Sequence, residues 1–237
     1  MKKLFYIFML LAMAAACFAQ NIEETTQKAE SGDVNAQYEL GEYYRGVDVT
    51  ADNKQAVYWF TKAAEQGNAD AQYKLGKIYD YGNSTNVNKK EAVFWYRKAA
   101  EQGHVDAQFF LGLTYYNGNG ILTDKKQAFY WLTKAAEQDY TDAQGVLGTM
   151  YYYGDGTNVD KRQAVFWYRK AAEKGNGFAQ LALGKMLYNG DGVPLDKKQA
   201  AYWIKKAHEG YLESQAKKFW DENELWKYSD VELQHDK

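Results

Sequence analysis

Apolar and small residues recur along this chain in two alternating patterns, both with helical spacing. The first reads AQYELGEYY from Ala36, AQYKLGKIY from Ala71, AQFFLGLTY from Ala107, AQGVLGTMY from Ala143 and AQLALGKML from Ala179. Within it Ala36, Leu40 and Tyr44 stand at i, i+4 and i+8, one face of an α-helix, here termed helix A. The second pattern opens at Trp59, Trp95, Trp131, Trp167 and Trp203, each 36 residues after the one before. Around the first of these, Ala56, Trp59, Ala63 and Ala64 follow i, i+3, i+7 and i+8, the buried stripe of a second helix, B. Self-similarity at this period predicts a repeat architecture. A unit of two helices cannot bury its apolar faces alone, so each must stack on its neighbours.

The ends of helix B are marked by residue type. Asp52, Asn88, Asp124, Asp160 and Asp196 are N-cap residues, and Gln55, Glu91, Gln127, Gln163 and Gln199 follow three positions later, a pattern like the capping box. Gly67, Gly103 and Gly175 suit the left-handed conformation just past the helix, whereas Asp139 and Tyr211 occupy that place in the third and fifth units. Inside helix A a glycine recurs beside the leucine, at positions 41, 76, 112, 148 and 184. Each costs about 1 kcal/mol against alanine in a helix, and close approach of a neighbouring helix backbone is the expected reason. Between A and B lie turns such as YGDGTNV and YNGDGVP. Their glycines are read as positive-φ turn residues, because the ligand spacing of a calcium-binding loop is absent.

These signals predict an all-α chain of five helix-turn-helix units over residues 33–210. An N-terminal segment at 20–32 should begin disordered and pass into a short helix. A polar cap and tail follow at 211–237. The opening MKKLFYIFMLLAMAAACFAQ has two lysines, a short apolar run and then small residues, the layout of a secretory signal peptide over 1–19. An exported, periplasmic or secreted protein is therefore expected, with lipid anchoring at Cys17 as the alternative. Without Lys2 and Lys3 the chain keeps 27 basic against 31 acidic residues, a net charge near −4. That balance argues against nucleic acid as a partner. The expected mature chain has no cysteine and no further hydrophobic span, so packing alone must hold it together.

The succession A-Q-x-x-L-G-x-x-Y, Y-x-x-G-x-G and D-K-x-x-A-x-x-W-x-x-K-A-A-E-x-G resembles the Sel-one-like repeat, a relative of the tetratricopeptide repeat. The resemblance covers about three quarters of the chain. It implies a right-handed α-α solenoid with a C-terminal capping helix, binding protein partners on a concave face lined mainly by A helices. One exported, cysteine-rich branch of the family is described as penicillin-binding or β-lactamase-like. The repeats here hold no cysteine, a departure from that branch that argues against inheriting its activity and leaves a β-lactamase-like hydrolase as the last of the alternative functions.

Chemistry in the repeats is sparse. Ser214 and Lys217 match S-x-x-K, but no S-D-N or K-T-G accompanies them, and Ser214 reads as a small packing residue at the alanine position of an outline repeat. The three histidines are far apart, and His104 reads as a surface or capping residue. No catalytic residue, metal ligand or cofactor site is assigned. The KKQA and KRQA runs read as the solvated start of helix B.

Binding is the stronger expectation. Constant positions serve the fold, so a partner should be read by positions that vary. The tetratricopeptide arrangement places three of these on the groove. Two residues before the leucine stand Tyr38, Tyr73, Phe109, Gly145 and Leu181; two after it, Glu42, Lys77, Leu113, Thr149 and Lys185; five after it, Arg45, Asp80, Tyr116, Tyr152 and Tyr188. Among these, Tyr38, Glu42, Tyr73, Lys77, Phe109, Tyr116 and Tyr152 are the candidate contacts, since aromatic rings offer large contact area at low entropy cost. The partner is expected to be a protein or peptide, with an envelope glycan or peptidoglycan fragment as the alternative.

If the periodic tryptophans are core, Trp131→Ala should cost roughly 3–5 kcal/mol, the range for a large buried aromatic. Thermal unfolding checks this, and a melting temperature that barely moves would contradict the packing assignment.

Overall fold

The computed structural model describes residues 20–46, 53–82, 87–118, 120–209 and 213–229. The expected signal peptide, Asp52 and Tyr211 lie outside them. The order is α1 (20–30), α2 (Val34–Gly46), α3 (Asn53–Glu65), α4 (Ala69–Tyr81), α5 (Lys89–Glu101), α6 (Val105–Asn117) and α7 (Lys125–Glu137). It continues with α8 (Thr141–Tyr153), α9 (Lys161–Glu173), α10 (Gly177–Asn189), α11 (Lys197–His208) and α12 (Glu213–Glu222), then one 3-10 turn at Leu225–Tyr228. No strand occurs among the described residues. Helices α2, α4, α6, α8 and α10 are the A helices, and α3, α5, α7, α9 and α11 are the B helices. The all-α repeat fold expected from the periodicity is the one observed. No described helix is long and apolar enough to cross a membrane.

The chain divides into two compact units, one up to Ala107 and one from Gln108 onward. In the first, Ala56, Phe60, Ala63, Leu75 and Trp95 pack together, and Ala29, Ala36, Leu40 and Trp59 form a second cluster. In the second, Ala164, Tyr168, Leu183, Leu187 and Trp203 make the main core, while Leu181, Ile204, Ala216 and Leu225 seal its C-terminal end. The five periodic tryptophans are all 7–8 % exposed.

The helix A glycines have a different reason from the one expected. A Cβ at Gly41 would lie 2.5 Å from the ring of Phe60, at Gly112 2.6 Å from Leu132, and at Gly148 2.7 Å from Tyr168. Tyr96 and Ile204 meet Gly76 and Gly184 in the same way. The residue one after each tryptophan thus fills the missing Cβ volume. A side chain, rather than a neighbouring backbone, excludes alanine.

The caps form as expected, but only in half of the box pattern. Asn88, Asp124, Asp160 and Asp196 accept backbone N–H bonds from the first turn of their helices. Their own N–H groups donate to Tyr79, Tyr115, Tyr151 and Leu187 carbonyls at 2.9–3.0 Å. Helix A supplies the acceptor, so the Glu or Gln three positions on is not needed to satisfy that N–H.

After α3, α5, α7 and α9 the connection to the next helix A is three residues long. Gly67, Gly103 and Gly175 have φ of 95°, 90° and 89°, and Asp139 takes the same region at 73°. The next N–H closes on the alanine five residues back: Asn68 to Ala63, His104 to Ala99, Tyr140 to Ala135, Asn176 to Ala171. This is the Schellman closure. The same pattern ends α1, where Gly32 has φ of 100° and Asp33 caps α2 through Ala36. Residues 20–30 are helical throughout, so the disordered start expected at 20 is not found. This stretch is a B-type helix, with Ala29 buried beneath α2.

Gly148→Ala should lower stability by about 1–3 kcal/mol, since overpacking against a fixed ring outweighs the gain in helix propensity. Chemical denaturation measures this, and a neutral or stabilising result would show that Tyr168 can move aside.

Candidate functional site

The varying helix A positions fall into two groups. In the first unit they are engaged with neighbouring side chains. The Tyr38 ring lies 5.8 Å from Phe60. Glu42 pairs with Arg45 and Lys74, both at 3.0 Å. Burial pushes the Glu42 carboxyl up, but the hydrogen bonds from Arg45 and Lys74 outweigh it and hold it below the ordinary value. Tyr73 lies 6.1 Å from Tyr96 and 4.6 Å from His104, with the Lys77 ammonium 5.8 Å from its ring. His104 caps α6, its Nδ1 accepting the Ala107 N–H at 3.2 Å while Nε2 faces Asp70.

In the second unit, position two before the leucine is closed and position five after it is built into a lattice. Phe109 is 9 % exposed and packs 4.9 Å from Tyr140. The Tyr116 hydroxyl donates to Asp155 at 2.6 Å, and the Lys125 ammonium sits 3.0 Å above its ring centre. One repeat on, Tyr152 donates to Asp191 at 3.1 Å, and Lys161 binds the same carboxylate at 2.6 Å. Each cluster joins the end of a helix A, the start of its helix B and the turn of the following unit. Lys125 and Lys161 are thus held against tyrosine rings, rather than merely solvated as the KKQA and KRQA runs suggested. Sequence reading also passed over Asp155 and Asp191. Their signal was a constant offset, 39 residues after Tyr116 and after Tyr152.

Residues of α8, α9, α10 and α12 enclose a pocket of about 220 Å³. Buried Tyr168, Leu181 and Met186 form its floor. At the mouth stand Tyr153 and Phe178, 68 % and 51 % exposed, with Lys185 beside them. Tyr152 and Asp191 form one wall and Gln215 of α12 another. Of the varying positions the pocket brings together Tyr152, Leu181 and Lys185. Tyr38, Glu42, Tyr73 and Lys77 belong to the first unit, and neither Phe109 nor Tyr116 lines it.

The pocket is where unit four departs from the pattern. Tyr38 covers Phe60 and Tyr73 approaches Tyr96, but the equivalent neighbour of Tyr168 would be Gly145, which has no ring. Phe178 approaches Tyr168 instead, at 6.1 Å.

Both residues of the S-x-x-K match lie on α12. Ser214 is exposed, and Lys217 is paired with Asp221 at 2.5 Å. Ala216, rather than Ser214, is the small buried residue of the cap, so the packing role expected for Ser214 is corrected by two positions. Among the described residues no three of His, Cys, Asp or Glu converge to hold a metal ion.

Tandem helix-turn-helix units, with constant packing positions and a varying face, define a repeat scaffold. The Sel1 repeat model matches residues 34–68, 69–104, 105–140, 141–176 and 177–209. The chain belongs to the Sel1 repeat family, whose scaffolds generally serve protein–protein interaction. It is similar to a protective antigen of uropathogenic Escherichia coli strains displaying an SLR fold, at 42 % identity and a TM-score of 0.75. That match covers 79 % of this chain and 40 % of the antigen, so this chain spans well under two thirds of its length. A Sel1 repeat protein from Oxalobacter formigenes is 33 % identical with a TM-score of 0.69, over 81 % of this chain and 83 % of that one. No curated protein matches the chain.

Burial first, and then the hydrogen bond to Asp155, push the Tyr116 phenol up to about 12. A phenol raised above its unfolded value of about 10 contributes stability that is complete below that pH and is lost as pH rises through the folded value. Ultraviolet titration should therefore show Tyr116 among the late-ionising phenols, and Tyr116→Phe should remove one late phase. An unchanged titration would contradict the part-buried hydrogen bond to Asp155.

Proposed function

We propose that this protein is an exported scaffold that holds a partner protein, through an extended segment of it, on the helix A side of its second unit. One observation carries the reading. Tyr153 and Phe178 stand exposed at the mouth of an apolar pocket, whereas the rings of Tyr38, Tyr73 and Phe109 are engaged by neighbours. Exposed aromatic residues beside a preformed depression are the usual anchors of protein interfaces. Of the remaining candidate contacts, Tyr38, Glu42, Tyr73 and Lys77 are engaged within the first unit, and Tyr116 is hydrogen-bonded within the second. Similarity to a protective antigen supports an exported location, as do the signal-like residues 1–19.

Capture from a cell-envelope extract tests the reading. Tyr153→Ala should weaken capture about thirtyfold, the loss expected for one interface anchor, with melting unchanged. Phe109→Ala should behave oppositely, losing roughly 3–5 kcal/mol of stability as a buried ring. Recovery of sugar-bearing material in place of a defined protein would select the glycan alternative. Capture that survives Tyr153→Ala would place the binding face elsewhere.

A further inference from the structure

Size, shape and charge of the second-unit pocket together select a chemistry. At about 220 Å³ it is smaller than the roughly 300–1,000 Å³ typical of small-molecule sites, and it suits one large side chain. Its floor of Leu181, Met186 and Tyr168 is apolar, and its mouth offers the rings of Tyr153 and Phe178. Two charged groups stand beside that surface. Asp191 is already compensated, bonded by Lys161 at 2.6 Å and by Tyr152 at 3.1 Å. Lys185 is half-buried, its ammonium lies 5.2 Å from the Phe219 ring, and it pairs with no carboxylate among the described residues. The pocket therefore carries one uncompensated positive charge at the edge of an apolar depression.

We infer that the pocket takes an aromatic or large aliphatic side chain from an extended peptide segment of the partner, with an acidic residue beside it that pairs with Lys185. This rests on the scaffold reading above and adds the identity of the recognised segment. The apolar side chain is desolvated between Leu181, Met186 and the two mouth rings. The adjacent carboxylate replaces water around Lys185 and fixes the direction of the segment. Charge complementarity at such an edge discriminates between partners more than it adds affinity. A basic segment would be repelled by Lys185, and Asp191 could not accept it without releasing Lys161.

Selection of displayed random dodecapeptides on the purified protein tests the inference, with fluorescence anisotropy of the leading peptide. The enriched sequences should carry an aromatic or large aliphatic residue next to Asp or Glu. Lys185→Glu should weaken the leading peptide about tenfold and shift selection toward basic neighbours. Phe178→Ala should weaken it about thirtyfold. Circular dichroism melts should stay unchanged, since neither side chain is in the core. Enrichment without an acidic bias, no enrichment, or binding indifferent to both substitutions overturns the inference. The two readings fail separately. A protein captured from extract whose retention ignores Lys185→Glu leaves the scaffold standing and overturns this chemistry. Failure of the unaltered protein to capture any protein overturns the scaffold itself.

Discussion

Five side chains of the B helices occupy the volume that five glycines of the A helices leave empty. Phe60, Tyr96, Leu132, Tyr168 and Ile204 each lie so close to a helix A glycine that a single added carbon would overlap them. This contact sets how closely the two helices of a unit approach. The tryptophan one residue earlier and the alanines four and five residues after it, the second replaced by His208 in the fifth repeat, then pack around that seam. A glycine inside a helix is locally unfavourable, so the contact has to return more through packing than the helix loses. Because the seam lies inside each unit, it repeats without reference to what the unit binds.

Joining one unit to the next falls to a buried amide. Gln37, Gln72, Gln144 and Gln180 donate to the carbonyls of Ala29, Ala64, Ala136 and Ala172 at the end of the preceding helix. Each of those carbonyls also accepts the N–H three residues on, from Gly32, Gly67, Asp139 and Gly175, so the amide fills the second lone pair of a carbonyl at a helix end. Gln66 and Gln102 then donate to the side-chain oxygens of Gln37 and Gln72, extending the link into the next connection. The arrangement bends at Asp139, a non-glycine residue at positive φ. There Lys174 replaces the expected glutamine and pairs with Asp139 at 2.5 Å, while Gln144 also donates to the Asp139 carboxylate. An ion pair and a hydrogen bond thus accompany a backbone conformation that favours glycine.

Constant contacts inside and between units leave a few positions free to differ, and the pocket arises at one such difference. Where Tyr38 and Tyr73 cover the ring of helix B, Gly145 does not, and the ring of Tyr168 becomes a floor. Around it the Tyr152, Lys161 and Asp191 cluster fixes one wall through hydrogen bonds, so the depression is preformed. Preformed walls lower the ordering cost of binding. Recognition can then rest on a few residues at the edge, Lys185 among them.

Most of the fold was legible in the sequence because helical periodicity, caps and C-terminal glycines are local signals. Trp59 through Trp203, Asp124 and Gly67 declare their roles within one or two turns of chain. The recurring glutamine of helix A was visible but unassigned, because a polar residue beside a buried alanine gives no sign of whether a distant carbonyl needs it. The candidate site was less legible for the same reason. Side-chain type made Phe109 and Tyr152 look alike, yet one ring is sealed by Tyr140 and the other meets an aspartate 39 residues away. Tyr153 and Phe178 went unnoticed, since exposure depends on which neighbours fail to cover a ring. Local periodicity determined that this chain would be a stack of helix pairs. Contacts between residues 30 to 40 positions apart, which only the folded chain brings together, decided which rings face solvent and where a pocket opens.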